Sequence, residues 1–227
     1  MSSGKAETPE FVLYTYFRSS CSARVRIALE LKSIPYNSKC INLLQNEQSG
    51  SGYEAINPSH LVPSLQVAGS GTILTQSIAI LEHLEEKYPD RYSLLPPLSD
   101  STGRAYVRAL TGVIACDVQP VTNLRILRRV DVLGGSKEEW ARDLIGEGLA
   151  AFESLAARRA GRFSYGDSIT MADVCLVPAV WGAERFGVDV KRYPTISKVI
   201  EEMEELEAVK RAHWRRQEDT PIDLRVE

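Results

Sequence analysis

The sequence is poor in several of the things that most directly announce a chemistry. It has four cysteines (Cys21, Cys40, Cys116 and Cys175) and three histidines. No two cysteines stand at C-x-x-C or metal-ligand spacing, which argues against a redox pair, a zinc site or a disulfide framework. No stretch approaches the run of about 18 apolar residues that a membrane span requires. The first ten residues, MSSGKAETPE, lack the apolar centre of a secretory signal and read as disordered. The net charge of −3 comes with no large basic cluster, so neither nucleic acid nor a lipid surface is an expected partner. There is no internal repeat and no low-complexity tract. These absences point to a soluble, cytoplasmic protein with reduced thiols. Any anionic ligand has to be held by a local site.

What is present is an ordinary globular composition, 44% apolar and 25% charged over 227 residues. That is enough chain to bury a core without covalent staples. The β-forming FVLYTY (11–16) predicts a strand, and a helix follows from Ser22 with Val25, Ala28 and Leu29 at helical spacing. YNSKCINL (36–43) predicts a second strand. PSLQVA and TILT, joined through GSG, predict a hairpin, and SIAILEHLEEKY (77–88) a helix. The order is βαβ then ββα, which requires a mixed sheet. PDRYSLLPPLSDS (89–101) carries three prolines and predicts a linker. Beyond it only helical patterns appear: from about Gly103 to Arg129, interrupted at Pro120, then Lys137 to Arg159, a third from Thr170, and a fourth carrying Ile196 to Leu206. The expected organisation is a disordered 1–10, an α/β unit over 11–88, the linker, and an all-helical unit over 102–227.

Chemistry concentrates at the first strand–helix junction, YFRSSCSARVRIAL. A helix N-terminus presents unpaired N–H groups and partial positive charge, so it favours an anion. Ser19, Ser20, Cys21 and Ser22 are four cap candidates in a row, with Arg18, Arg24 and Arg26 nearby. Either Cys21 is the thiolate, or Ser19, Ser20 and Cys21 donate to a visiting one; an ordinary Ser-rich cap is the third possibility. In NPSHLVPSL a Pro follows Val62 at a strand start. A cis bond there would turn the Val62 amide and carbonyl outward, toward an extended peptide. In TQSIAIL, Ser77 stands at the expected N-cap and Gln76 precedes it, an arrangement that also suits a ligand carboxylate. Thr170 and Asp173 in ITMAD have capping-box spacing. Cys40, Cys116 and Cys175 read as inert core thiols, His83 and His213 have no visible acid–base partner, and KRAHWRR reads as a solvated helix end.

The motifs YFRSSCS-R-RIAL, INLL, NP---VPSL, QSIAILEHLEE, QP--N, ITMADVCLVP, AERFGVD and YPTIS occur in order along nearly the whole chain. With them the sequence resembles the cytosolic glutathione transferases, zeta class, whose best-known activity is maleylacetoacetate isomerisation in tyrosine and phenylalanine catabolism. The resemblance implies a thioredoxin-like N-terminal domain, an all-α C-terminal domain, a homodimer, and glutathione as cofactor. It implies that Ser20 activates the glutathione thiolate with Ser19 and Cys21 beside it. Val62 would pair with the cysteinyl backbone, Gln76 and Ser77 would hold the γ-glutamyl end, and Gln48 would reach the glycyl end. Gln119 and Asn123 would bind glutathione from the helical domain. Arg185, Arg18 and Arg24 would hold the carboxylates of a dicarboxylate substrate. In the implied reaction a thiolate adds to a conjugated cis double bond, the resulting single bond rotates, and expulsion of the thiolate leaves the trans isomer. Ala23 stands where the family commonly has Trp, which puts packing or pocket volume, and so substrate breadth, in question. Two other functions fit parts of the pattern: a Cys21-dependent thiol transferase or dehydroascorbate reductase, and a noncatalytic interaction domain of the same fold.

Overall fold

The computed structural model describes residues 9–226. They form two compact units: one runs to Arg91 and resumes at Arg211, the other is Tyr92–Lys210. Residues 1–8 of the expected disordered start lie outside the described residues. Glu10 does not: its carboxylate pairs with Lys87 and accepts from the Tyr88 hydroxyl.

The first unit contains β1 (Phe11–Thr15), α1 (Ser20–Leu31), β2 (Tyr36–Cys40), the short α2 (Ser51–Glu54), β3 (Ser64–Val67), β4 (Ile73–Thr75) and α3 (Ser77–Lys87). The sheet order is β2-β1-β3-β4. β1 pairs parallel with β2, while β1–β3 and β3–β4 are antiparallel, the mixed sheet that the element order requires. The β3–β4 hairpin turns through Gly69 and Gly71, at φ 77° and 69°, a region that side chains rarely enter. Val25, Ile27, Ala28 and Leu29 of α1 and Ile80, Leu81 and Leu84 of α3 are fully enclosed. Their burial against the sheet is the main stabilising term for a small unit of this kind. A buried ion pair, Lys32 Nζ to Glu85 at 2.5 Å, joins the far ends of the two helices.

A second apolar cluster brings together Tyr14, Tyr16, Phe17, Ile41, Tyr53 and Val62, with Trp214 packed against it. Trp214 belongs to the segment expected to be a solvated helix end of the helical unit. Instead α10 (Glu207–Ala212), described below, is followed by a segment that returns to the α/β unit. There the Arg26 guanidinium donates to the Ala212 carbonyl at 3.1 Å, and Arg211 pairs with Glu30 at 2.7 Å. Arg211, Arg215 and Arg216 of KRAHWRR are exposed, as its charge density suggests, but the half-buried indole and a buried arginine 186 residues away tie the segment to the α/β unit.

The second unit is helical: α4 (Ser101–Gly112), a π-helical stretch Val113–Val118, α5 (Gln119–Thr122), α6 (Leu124–Val132), α7 (Lys137–Ala156), α8 (Met171–Arg185), α9 (Pro194–Glu204) and the beginning of α10. The expected break at Pro120 falls three residues later. The π turn absorbs the proline, which sits in the first turn of α5, and the chain leaves helical geometry at Asn123, ψ 159°. α8 is apolar on nearly all sides and buried from Met171 through Pro178. Its capping box is formed as expected. The fully buried Asp173 carboxylate accepts from Thr170 N at 2.7 Å, Thr170 Oγ1 at 2.9 Å and Ser164 N at 2.8 Å.

α7 crosses the π turn at Gly148, where an added Cβ would lie 2.0 Å from Val118 Cγ2. Val118 is branched at Cβ and cannot swing aside as a long side chain would. Gly148→Ala is therefore expected to destabilise the protein by about 1–3 kcal/mol, despite alanine's better helix propensity. Urea unfolding checks this, and an unchanged or raised midpoint would contradict the crossing described.

Candidate functional site

The sheet register brings three chain junctions to one end of the sheet. Tyr14 pairs with Ser64, and Ser64 with Thr75. The end of β1, the start of β3 and the end of β4 are therefore side by side. Beyond them lie, respectively, the Ser19–Cys21 turn, Val62–Pro63, and Gln76–Ser77.

At the first junction Ser19 is the N-cap of α1, its Oγ accepting from Ser22 N at 3.1 Å. The sequence offered four candidates for this role. The turn decides among them, because Ser19 N bonds back to the Tyr16 carbonyl at 3.0 Å and leaves Ser19 extended (ψ 113°). Ser20 thus becomes the first helical residue. It is half-buried, its hydroxyl is not spent on capping, and Cys21 beside it is half-buried with a free thiol. Ala23 is enclosed at 1% exposure, so the small side chain there is a matter of packing inside α1.

At the second junction the Val62–Pro63 bond is cis. The segment before it is held by the Leu61 carbonyl, which accepts from Tyr53 Oη at 2.7 Å and Asn57 Nδ2 at 2.8 Å. Among the described residues neither the amide nor the carbonyl of Val62 has a partner. Unpaired backbone groups in a segment leading into the end of a sheet are what an extended peptide pairs with.

At the third junction the expectation for Ser77 is corrected. Gln76, at φ 68°, is the N-cap of α3, and Ser77 is the first helical residue. Gln76 is exposed and makes no capping bond through its side chain. The Ser77 hydroxyl accepts from Arg24 Nη1 at 3.2 Å, which leaves its own hydrogen to donate. The same bond corrects the expectation for Arg24. At 1% exposure it cannot present its fork to a diffusing dicarboxylate, and it braces α1 against the start of α3. Its charge lies near two helix N-termini, adding to the positive potential there.

Arg18 is exposed, its guanidinium 5.2 Å from the Phe17 ring centroid and 5.3 Å from that of Trp214. Gln48 lies in the loop after β2. Its Nε2 donates to Asn46 at 2.8 Å, its carbonyl contacts His60 Nδ1 at 2.9 Å, and its buried Oε1 has no partner among the described residues.

The remaining sequence candidates belong to the helical unit. Gln119 opens α5 and is half-buried. The Asn123 side chain caps α6, accepting from Ile126 N at 3.1 Å and donating to the Pro120 carbonyl at 2.8 Å. Arg185 is exposed in the last turn of α8, 4.7 Å from the Phe186 ring centroid, where a cation complements the helix dipole.

Of the three thiols expected to be inert and enclosed, Cys175 is, whereas Cys116 is exposed and Cys40 half-exposed. Burial first, then the Glu218 carboxylate that accepts from its Sγ at 3.2 Å, pushes the Cys40 thiol up, so it stays protonated. Partial burial and the neighbouring arginines 215, 216 and 26 hold His213 down to about 4, uncharged near neutrality. Sequence reasoning counted Arg26 among the cations near the first junction but not its bond to the Phe17 carbonyl, 9 residues away, and it missed Asp219, which acts there from 202 residues away. No local spacing signals either contact. Among the described residues there is no cluster that could hold a metal ion, and no helix is long and apolar enough to cross a membrane.

The geometry can be set beside known proteins. Residues 18–87 match the Glutathione S-transferase, N-terminal domain, and residues 134–213 the Glutathione S-transferase, C-terminal domain. Maleylacetoacetate isomerase of Aspergillus fumigatus is 57% identical over 96% of both chains. A crystal structure of maleylacetoacetate isomerase from Anaeromyxobacter dehalogenans, with bound glutathione in the active site, superposes with a TM-score of 0.84 at 44% identity, covering 93% of this chain and 98% of that one. A bacterial maleyl pyruvate isomerase of the zeta class gives 0.87 at 40% identity, covering 92% and 100%. With both of its domains matched and its mixed sheet and helical unit in that order, the chain belongs to the glutathione S-transferase family.

Proposed function

We infer that the protein is a zeta-class glutathione transferase acting as a maleylacetoacetate isomerase, with glutathione as its cofactor. The observation that carries the reading is the convergence of two helix N-termini and the unclaimed Val62 backbone at one end of the sheet. A short thiol peptide with a free carboxylate needs these three elements. The Val62 groups take the backbone of its central residue. The α3 terminus, with Gln76 and Ser77, takes its α-carboxylate end, and the start of α1 takes its sulfur. Gln48 is assigned to the glycyl end.

Ser20 donates a hydrogen bond to the sulfur, and the α1 N-terminus adds positive potential. Both favour the charged form of a thiol whose ordinary pKa is near ~8.5. Ser19 holds the helix start, and Cys21 lines the site beside the sulfur. When bound, glutathione supplies a thiolate that adds reversibly to the substrate's cis double bond and so permits rotation. Of the three arginines around the serines, Arg18 is the exposed one and is assigned to a substrate carboxylate; its packing against two rings pre-orients the fork. Gln119, Asn123 and Arg185 are assigned to the same ligands on sequence resemblance. Asn123 has first to keep its capping bonds, so its contact with a ligand runs through whatever amide capacity remains. A second structure of the Anaeromyxobacter enzyme contains dicarboxyethyl glutathione and citrate, which supports a dicarboxylate as substrate class. The family membership supports a homodimer in the cytoplasm, with side activity toward small electrophiles.

Purified, thiol-free protein assayed with maleylacetoacetate is expected to isomerise it only when glutathione is added. Equal rates with and without glutathione would overturn the reading. Glutathione conjugation of small electrophiles without isomerisation would narrow it to a transferase.

A further inference from the structure

The turn that delivers Ser20 to its place, residues 16–19, has one hydrogen bond of its own, Ser19 N to the Tyr16 carbonyl. Both backbone groups of Phe17, at its centre, are held by side chains from elsewhere. The Phe17 amide donates to Asp219 Oδ2 at 2.8 Å, and its carbonyl accepts from Arg26 Nη2 at 3.2 Å. Arg26 also donates to Thr15 Oγ1 at 2.9 Å and reaches the Tyr16 carbonyl at 3.4 Å. It is fully buried. Burial pulls it to about 10, with Tyr36 and Asp219 opposing, so it remains charged at neutrality.

The segment carrying Asp219 is itself tied down. Thr220 Oγ1 donates to the Trp214 carbonyl at 2.5 Å, Gln217 Nε2 to the carbonyls of Arg211 and His213 at 2.9 Å each, and Arg225 Nε to the Thr220 carbonyl at 2.8 Å. Trp214 rests 6.3 Å from the Phe17 ring and supports Arg18. Phe17 and everything after residue 213 fall outside the two matched domains.

We infer that Asp219 is a positioning residue for the thiolate site. Its carboxylate fixes the Phe17 amide and with it the turn, and the turn fixes how far the Ser20 hydroxyl stands from the sulfur. The inference rests on the assignment of Ser20 above. A hydroxyl–thiolate hydrogen bond decays steeply with distance and angle, so a small displacement of the turn is felt at the sulfur and hardly at the Val62 and Ser77 contacts.

Asp219→Ala is expected to raise the pKa of the bound glutathione thiol, read from thiolate absorbance across pH, by about one unit and to lower kcat about threefold at pH 7 and toward tenfold at lower pH, with the KM for glutathione changed less than about twofold. Asp219→Asn keeps an oxygen facing the Phe17 amide and is expected to restore the thiol pKa. An Asp219→Ala protein with a lowered unfolding temperature but unaltered thiol pKa and kcat would reduce the residue to a structural role and overturn the inference. Should that variant not fold, amide exchange in the unmodified protein decides: Phe17 is expected to be protected, and a freely exchanging Phe17 amide would overturn the inference equally. The two readings separate cleanly. A native enzyme that leaves the bound thiol unshifted removes the Ser20 assignment, and this inference with it. A native enzyme that shifts it, paired with an indifferent Asp219→Ala, removes this inference alone.

Discussion

Isomerase turnover at pH 7 is expected to fall by up to about 25-fold when Ser20 is replaced by alanine, the α1 N-terminus retaining part of the stabilisation, and less than about twofold when Cys21 is. The size follows from titration. A thiol with pKa near ~8.5 is about 3% ionised at pH 7, and one stabilised by about two units, or ~2.7 kcal/mol, is about three-quarters ionised. Ser20 stands first in α1 with a hydroxyl not used in capping, so its loss removes the donor and leaves the helix start to Ser19. The pH dependence gives the sign. The deficit of Ser20→Ala shrinks as pH rises past the free thiol's pKa, because both proteins then hold a full thiolate. Steady-state assays from pH 6 to about pH 9 read this directly. If Cys21→Ala abolishes activity and Ser20→Ala spares it, the protein is instead a cysteine-centred thiol transferase.

Replacement of Asp173 by alanine is expected to cost about 3 kcal/mol or more of stability without altering glutathione affinity in the protein that remains folded. Spacing alone supports only about 1 kcal/mol for a lost cap. The larger figure comes from the surroundings: the carboxylate is fully enclosed and is the acceptor for two backbone amides and one hydroxyl, at Ser164 and Thr170. Alanine leaves those donors buried and unpaired. Burial pushes the Asp173 carboxyl up, while the same hydrogen bonds pull against it. Asp173→Asn relieves the buried charge but presents N–H where donors already converge on Oδ2. It is expected to be destabilised too, by a smaller amount of about 1–3 kcal/mol. Urea midpoints rank the three proteins, and a loss below about 1 kcal/mol for alanine would show that the pocket rehydrates or collapses.

Order and kind of element were legible wherever the determining contacts are local. FVLYT is rich in β-formers and pairs on both sides, α1 and α3 carry their apolar faces at helical spacing, and Thr170 reaches Asp173 within one turn. The same locality made the chemistry of SSCS visible as an anion site. It did not say which serine caps, because the β1–α1 turn sets that through the Tyr16 carbonyl. Nor did it separate Arg18 from Arg24. The two are six residues apart and alike in sequence context, yet one is exposed on an indole and the other buried against Ser77.

By itself, then, the sequence determined a mixed sheet followed by helices, and a cluster of donors at the first helix start. The elements and the donor cluster depend on interactions spanning one turn or one hairpin, and the order of the elements, with the crossover rule, supplies the parallel pairing. Only the tertiary structure decided that the C-terminal segment returns to the first unit and that Asp219 grips the Phe17 amide. A contact closed across 202 residues leaves no periodicity or spacing to read, because its partners meet only after the core has formed.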